Sequence, residues 1–176
     1  MAKKKMTVEK FTLKNVTLVY APGLFEKSAL NEGDEEKYST KFIIDPKKNR
    51  KNLEALEDLM DDLKEEEYGP GKVRNLLSTC LKDGEDMEDE IFHGKMVFVA
   101  SSKKRPVCVD EENEIVTQED DVLYSGCKVD ATVNVWAMNH EKYGKRMVGQ
   151  LRAVRFVGDG DPIGGGSIDP ETEFED

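Results

Sequence analysis

The chain has only two histidines, His93 and His140, and three widely separated cysteines, Cys80, Cys108 and Cys127, with no C-x-x-C pair. Neither a Cys₄ nor a Cys₂His₂ zinc site can be assembled from that inventory at the usual spacings. An odd, scattered set of cysteines also fails as a disulfide framework and is in keeping with a reducing compartment. No apolar run approaches the roughly 18 residues that a membrane span needs. The basic start, Met1-Ala-Lys-Lys-Lys5, is not followed by the apolar segment of a secretory signal. A cytoplasmic protein is expected, and the Asn15-Val-Thr17 sequon is then a coincidence of composition.

Catalytic signatures are equally scarce. There is no P-loop, and the run Gly158-x-Gly160-x-x-x-Gly164 has the wrong spacing for a dinucleotide loop, contains Asp and Pro and opens no helix. The acid pairs Asp61-Asp62 and Asp120-Asp121 lack a supporting His or Lys constellation, so a metal-dependent nuclease is disfavoured. The expectation is a non-enzymatic protein without cofactor or metal.

A net charge of −11 argues at first against binding nucleic acid, because phosphate contacts need Lys and Arg. The distribution reverses that conclusion. Four segments concentrate the acids: residues 50–68 carry eight acids and three bases, 83–90 six acids, 110–121 seven and 159–176 seven, the last three without a base. The remainder holds nine acids against 23 bases. One basic body with acidic appendages is the pattern of a protein that meets a polyanion on one face.

Along the chain, residues 11–20 read as a first strand, with Val16, Leu18 and Tyr20 on one face, and Leu24-Phe25 as an apolar plug in the following loop. Residues 36–45 alternate as a second strand. Asn49 stands where an N-cap belongs, before a helix over about residues 50–68 whose Leu53, Leu56, Leu59, Met60 and Leu63 form one apolar stripe. Tyr68-Gly-Pro-Gly71 ends it. Residues 73–81 read as a short mixed segment, 95–101 as a strand, and 107–110 as an extended piece turning near 111–113 toward Ile115-Val116. Residues 126–137 form the clearest strand, with Cys127, Val129, Ala131, Val133 and Val135 on one face, and a loop over 139–145 leads to a last strand, about 146–157.

Strands without βαβ alternation and a single inserted helix predict a mainly β fold, an antiparallel barrel of the OB type. The domain spans residues 1–158; residues 159–176 form a Gly-rich linker and an acidic tail, read as flexible.

Lys103, Lys104 and Arg105 make one basic cluster; Lys142, Lys145 and Arg146 make another; Arg152 and Arg155 continue along the last strand. Trp136 shares its strand face with Lys128, Thr132 and Asn134 rather than with the valines, and Tyr143 lies within the basic loop. Cations for phosphates beside aromatic rings for bases are what a single-strand groove needs. The candidate contact set is therefore Lys103, Lys104, Arg105, Lys128, Trp136, Tyr143, Lys145, Arg146, Arg152 and Arg155. Tyr20, Phe25, Tyr38 and Tyr124 are open between stacking and core. In the tail, Glu171, Glu173, Glu175 and Asp176 mimic a phosphate backbone, and Phe174 offers partner proteins an apolar anchor. The rival reading is an acidic DNA mimic acting on a host nucleic-acid-binding protein; acids scattered over loops and a tail fit it poorly.

The stretches Val16-Thr-Leu-Val-Tyr20, Leu24-Phe-Glu26, Lys37-Tyr-Ser39, Ile43-Ile-Asp-Pro46, Leu81-Lys-Asp-Gly84, Val99-Ala-Ser-Ser102, Tyr124-Ser-Gly126 and Asp159-Gly-Asp-Pro-Ile-Gly-Gly165 occur in this order. Over about residues 13–166 the chain resembles a family of phage-encoded single-stranded-DNA-binding proteins once catalogued as a domain of unknown function. The resemblance implies an OB fold and sequence-tolerant coating and protection of single strands in phage DNA replication and recombination. It also implies some tolerance for duplex DNA and an acidic tail that recruits replication partners such as a polymerase or helicase. Homo-oligomerisation is left open. One departure stands out: a Gly-Leu pairing usual in the last strand is interrupted here as Gly149-Gln-Leu151.

Overall fold

The computed structural model describes residues 8–29, 33, 35–69, 76–140 and 144–163. Its elements are β1 (Val8–Leu18), β2 (Tyr38–Ile44), α1 (Arg50–Tyr68), β3 (Leu76–Ser78), β4 (Leu81–Asp83), β5 (Met96–Ser102), β6 (Val107–Val109), β7 (Lys128–His140) and β8 (Gly144–Gly158). Five long strands close into a barrel in the order β1-β2-β5-β8-β7 and back to β1. Every contact around it is antiparallel except β5 with β8, which run parallel through the pair Ser101–Gln150. This is the OB-type barrel, with its helix between the second and third barrel strands.

Alternation builds the wall. In β7, Val129, Ala131, Val133, Val135 and Ala137 are buried, and the residues between them face out half-exposed. Phe42 and Phe98 face one another across β2 and β5, both fully buried. Gly149 lets β8 pass close to that pair, since a Cβ there would stand 2.7 Å from the Phe98 ring. β1 bends at a bulge between Leu13 and Val16, where Asn15 takes φ 52°. Asp130 Oδ1 accepts the Asn15 amide at 2.9 Å and fixes the bulge.

The stripe Leu53, Leu56, Met60 and Leu63 buries into the barrel core. Asn49 occupies the N-cap position as expected but makes no side-chain cap; its Nδ2 donates to the carbonyls of Lys14 and Asn15, and its Oδ1 accepts the Asp45 amide. The helix start is thus tied to the β1 bulge, reinforced by Asn52, whose Nδ2 donates to the Thr12 carbonyl at 3.0 Å. At the other end the Tyr68 hydroxyl reaches the carbonyls of Met138 (2.6 Å) and Arg146 (3.1 Å). Gly69, at φ 93°, ends the helix.

Within and just beyond the segment read as mixed, the structure forms two three-residue strands: β3 runs parallel to β8, and β4, which starts at Leu81 and continues into the acidic stretch, runs antiparallel to β5. Between them the Cys80 amide donates to the Met147 carbonyl, and the Cys80 carbonyl accepts from the Val99 amide. Strands this short exist only through such pairing, so periodicity could not announce them. On the outer face of β2 and β5, Ile43, Phe92 and Val97 form a second small cluster with Val19, Met87, Val99 and Ile163. The loop after β4 therefore lies over that face. The 3₁₀ turns within it are capped by Asp83 and Asp89.

Asp45 closes β2 by accepting the amides of Lys47 and Lys48 and the Lys95 ammonium, the last at 3.1 Å. Chiefly the Lys47 amide, with help from Lys95 and against the cost of burial, holds its carboxyl down from 3.8 to about 2. A depressed folded-state value means stabilisation that is complete above the ordinary carboxylate range and is lost as pH falls through about 2. Asp45→Asn is expected to cost about 1–2 kcal/mol near neutrality. In thermal unfolding, the gap between variant and parent should close as pH is lowered from 5 toward 2; a gap independent of pH would mean the carboxylate charge is immaterial.

Candidate nucleic-acid interface

The register places a continuous polar row across the outside of all five barrel strands. Lys10 of β1 pairs with Asn134 of β7, Asn134 with Gln150 of β8, Gln150 with Ser101 of β5, and Ser101 with Ser39 of β2. Paired residues share a face, so all five side chains point outward; Lys10 is exposed and the other four half-buried. The β7–β8 register slips between Thr132 and Val133, leaving Arg152 as the extra, exposed residue of β8. Its guanidinium donates to Asn134 Oδ1 at 3.2 Å, and Asn134 Nδ2 donates to Gln150 Oε1 at 2.8 Å. An amide pair is thereby held in one orientation beneath a cation.

The adjacent row carries Trp136, flanked across the strands by Val8 and Val148. Trp136 is half-buried and Val8 is 49% exposed. An apolar, ring-bearing row thus runs beside a polar, cationic one. That is the arrangement a single strand requires, with bases on one side and phosphates on the other.

At the Ser39 end, Lys103, Lys104 and Arg105 emerge exposed from the turn after β5. Lys103 Nζ lies 3.2 Å from Glu35, a surface pair that contributes little to stability. The Arg105 guanidinium and the Lys27 ammonium lie 5.9 and 5.6 Å from the centre of the Tyr38 ring. Tyr38 is otherwise buried, 9% exposed. Lys41, paired with Val99, sits with its ammonium 5.7 Å from the Phe92 ring.

The sequence-predicted contacts therefore separate. Trp136 and Arg152 lie on the row or beside it, and Lys103, Lys104 and Arg105 cluster near its Ser39 end. Lys128 lies elsewhere, at the start of β7 opposite Thr17, donating to Thr17 Oγ1 at 2.6 Å. Arg155 is committed to Asp130 at 2.9 Å and to Asn113 at 3.3 Å. Lys145 stands 5.3 Å from the Tyr68 ring at the end of the helix, and Arg146, next to it, pairs with Met138 and Ser78. Tyr143 and the tail residues Glu171, Glu173, Phe174, Glu175 and Asp176 lie outside the described residues. Of the aromatics left open, Phe25 packs against the core, Tyr124 bonds Asp159, and Tyr20 is 49% exposed.

Sequence reasoning passed over Lys10, Ser39, Ser101 and Gln150, whose alignment exists only through pairing across five strands. It also passed over Lys27 and Lys41, which lie outside the basic clusters. All three cysteines are buried, and burial pushes the Cys80 and Cys108 thiols up to about 12. Among the described residues no group of three or more His, Cys, Asp or Glu could hold a metal ion, and no helix is long and apolar enough to cross a membrane.

Comparison with known proteins agrees with this architecture. The family described as "Enterobacter phage Enc34, ssDNA-binding protein" matches residues 9–176. Protein p50 of Acyrthosiphon pisum secondary endosymbiont phage 1 is 31% identical over 175 residues, covering 95% of this chain and 93% of its own length. Among solved structures, the single-stranded DNA-binding protein from bacteriophage Enc34 in complex with ssDNA superposes with a TM-score of 0.76 at 24% identity, over 93% of this chain and 97% of that one. The single-stranded DNA binding protein gp2.5 of bacteriophage T7 superposes at 0.51 and 16% identity, over 91% and 92%. At those identities the structural likenesses speak for the fold.

Proposed function

The chain belongs to the family of the Enterobacter phage Enc34 ssDNA-binding protein, and from that premise we propose that it binds single-stranded DNA without sequence preference and without catalysis. The observation that carries this reading is the outward row Lys10–Asn134–Gln150–Ser101–Ser39 with Trp136 beside it. Phosphates run along the cationic side, met by Lys10, Arg152 and the Lys103–Arg105 cluster, and bases face Trp136. Cations supply most of the affinity, and the ring supplies the preference for unpaired bases. Tyr143, which lies in sequence between β7 and β8, adds a second ring. Lys128, Lys145 and Arg155 are secondary contacts at most, because each lies away from the row or is engaged within the fold; Arg146, opposite Met138, stands one outward position beyond the Trp136–Val148 pair.

The role is to coat and protect single strands during phage replication and recombination in the host cytoplasm, with weaker affinity for duplex. Residues 167–176 compete with DNA through their acids and offer Phe174 to a replication polymerase or helicase.

The test is a titration with a dT oligonucleotide, following the single tryptophan across a salt series. Quenching of Trp136, with affinity falling by about 0.7 log units per neutralised phosphate for each log unit of salt, is the expected result. Absence of binding at low salt, even without residues 167–176, would sink this reading and favour an acidic DNA mimic.

A further inference from the structure

The outward face that carries the polar row continues past Arg105 onto β6, and its chemistry changes there. β6 pairs with β8 as Val107–Ala153, Cys108–Val154 and Val109–Arg155. The chain then folds back on β6. The Asp110 amide donates to the Glu114 carbonyl and the Val116 amide to the Cys108 carbonyl, both at 2.9 Å, and Val109 bridges Ile115. Arg155 holds the turn by donating to Asn113 at 3.3 Å. Cys108 and Val116 are buried on the inner side of this hairpin, which leaves Val107, Val109 and Ile115 on the outer side. Val107 is 54% exposed and Ile115 79%, the two highest values for large apolar side chains among the described residues. The solvent side of an antiparallel ribbon is ordinarily polar. Here it is aliphatic, and Val107 and Ile115, with Phe25, Arg105, Pro106 and Glu119, line a groove of about 490 Å³.

Residues 110–121, which form the turn and far side of this hairpin and the segment after it, carry seven acids and no base. Two of the acids are spent on backbone: Asp110 accepts the Glu112 and Glu114 amides, and Asp120 accepts the Thr117 amide. Glu111, Glu112, Glu114, Glu119 and Asp121 are exposed and form no ion pair among the described residues. Arg105, the cation that lines the groove, has its guanidinium 5.9 Å from the Tyr38 ring. We propose that this groove docks a basic, aliphatic segment of a partner protein, with one or two apolar side chains against Val107 and Ile115 and Lys or Arg beside them facing the acids. An exposed aliphatic pair over a groove, rimmed by charge, is the form of a protein-docking surface. The unengaged acids then set the sign of the partner, steering a basic segment in and rejecting an acidic one. They reject DNA on the same ground, because phosphates following the outward face past Arg105 would meet five acids with no neutralising partner. The polar row and the groove are thus neighbouring surfaces of opposite electrostatic preference.

The experiment selects from a library of short random peptides on the immobilised full chain and titrates the enriched peptides against the parent and two variants. One variant combines Val107→Ser with Ile115→Ser; both side chains are exposed, so its thermal unfolding should match the parent's. The other combines Glu114→Gln with Glu119→Gln. Enriched peptides are expected to place aliphatic or aromatic residues beside Lys or Arg. They should lose at least about tenfold in affinity on the serine variant and about threefold on the glutamine variant. Affinity for a labelled dT oligonucleotide should change less than about twofold in the serine variant, which alters no cation. Failure to enrich any peptide, enrichment of acidic peptides, or equal binding to the parent and the serine variant overturns the docking site. A folded serine variant that binds the oligonucleotide about tenfold more weakly gives the groove to DNA bases instead and overturns it as well. A parent chain that binds enriched peptides in the groove but not the oligonucleotide is the separate failure of the DNA-binding reading.

Discussion

Replacing Lys103, Lys104 and Arg105 together with alanine is expected to lower the slope of log affinity against log salt by about two, at about 0.7 per lost phosphate contact. Raising salt fourfold would then cost the variant about twentyfold less affinity than it costs the parent, and binding at low salt should weaken by about two orders of magnitude. The three residues are exposed on one turn, so the fold should hardly register their loss. Lys103 gives up only a surface pair with Glu35. Arg105 gives up its contact with the Tyr38 ring, 5.9 Å away, at about 0.5–1 kcal/mol. A variant that stays folded and keeps the parent's slope would take this cluster off the path of the DNA and leave Lys10, Lys41 and Arg152 as its cations. The same substitution in Arg155 should leave the slope nearly unchanged, because its guanidinium is spent on Asp130 and Asn113.

What could be read in advance follows from the range of the interactions involved. The helix bounds, 50–68, and the inward face of β7 were legible because each is set by periodicity within one segment. The Lys103–Arg105 cluster was legible because three adjacent cations need no partner to be recognised. The polar row was not, since Lys10 and Ser39 fall in one row with Gln150 only after five strands close with β5 and β8 in parallel. Charge alone does not tell which cations the fold engages: no local signal announces that Asp130 and Thr17 will stand opposite Arg155 and Lys128. Asn49 shows the same limit in reverse: the residue type suited to a cap is in place, but its amide serves the β1 bulge 34 residues away. The interruption Gly149-Gln-Leu151 acquires a meaning only in the fold. Gly149 makes room for Phe98, and Gln150 is the residue through which β8 meets β5.

Trp136→Ala is expected to weaken single-strand binding by about 1–3 kcal/mol while leaving the salt slope unchanged, since it removes a stacking surface and no charge. This separates it from every cation variant: the ring should move the intercept and the cations the slope. Trp136 faces outward between its cross-strand neighbours Val8 and Val148, so the loss in stability should be about 0.2–1 kcal/mol. Trp136→Phe should recover most of the affinity, because a smaller ring still presents a face to a base. As the substitution removes the only tryptophan, the measurement needs a labelled oligonucleotide, with thermal unfolding as the control. A variant that loses stability by several kcal/mol but binds with parental affinity would make Trp136 part of the wall, and the stacking surface would then have to come from another ring. Equal losses from Trp136→Ala and Trp136→Phe would instead point to the indole N–H, the polar group that phenylalanine lacks, and would turn a stacking contact into a hydrogen bond.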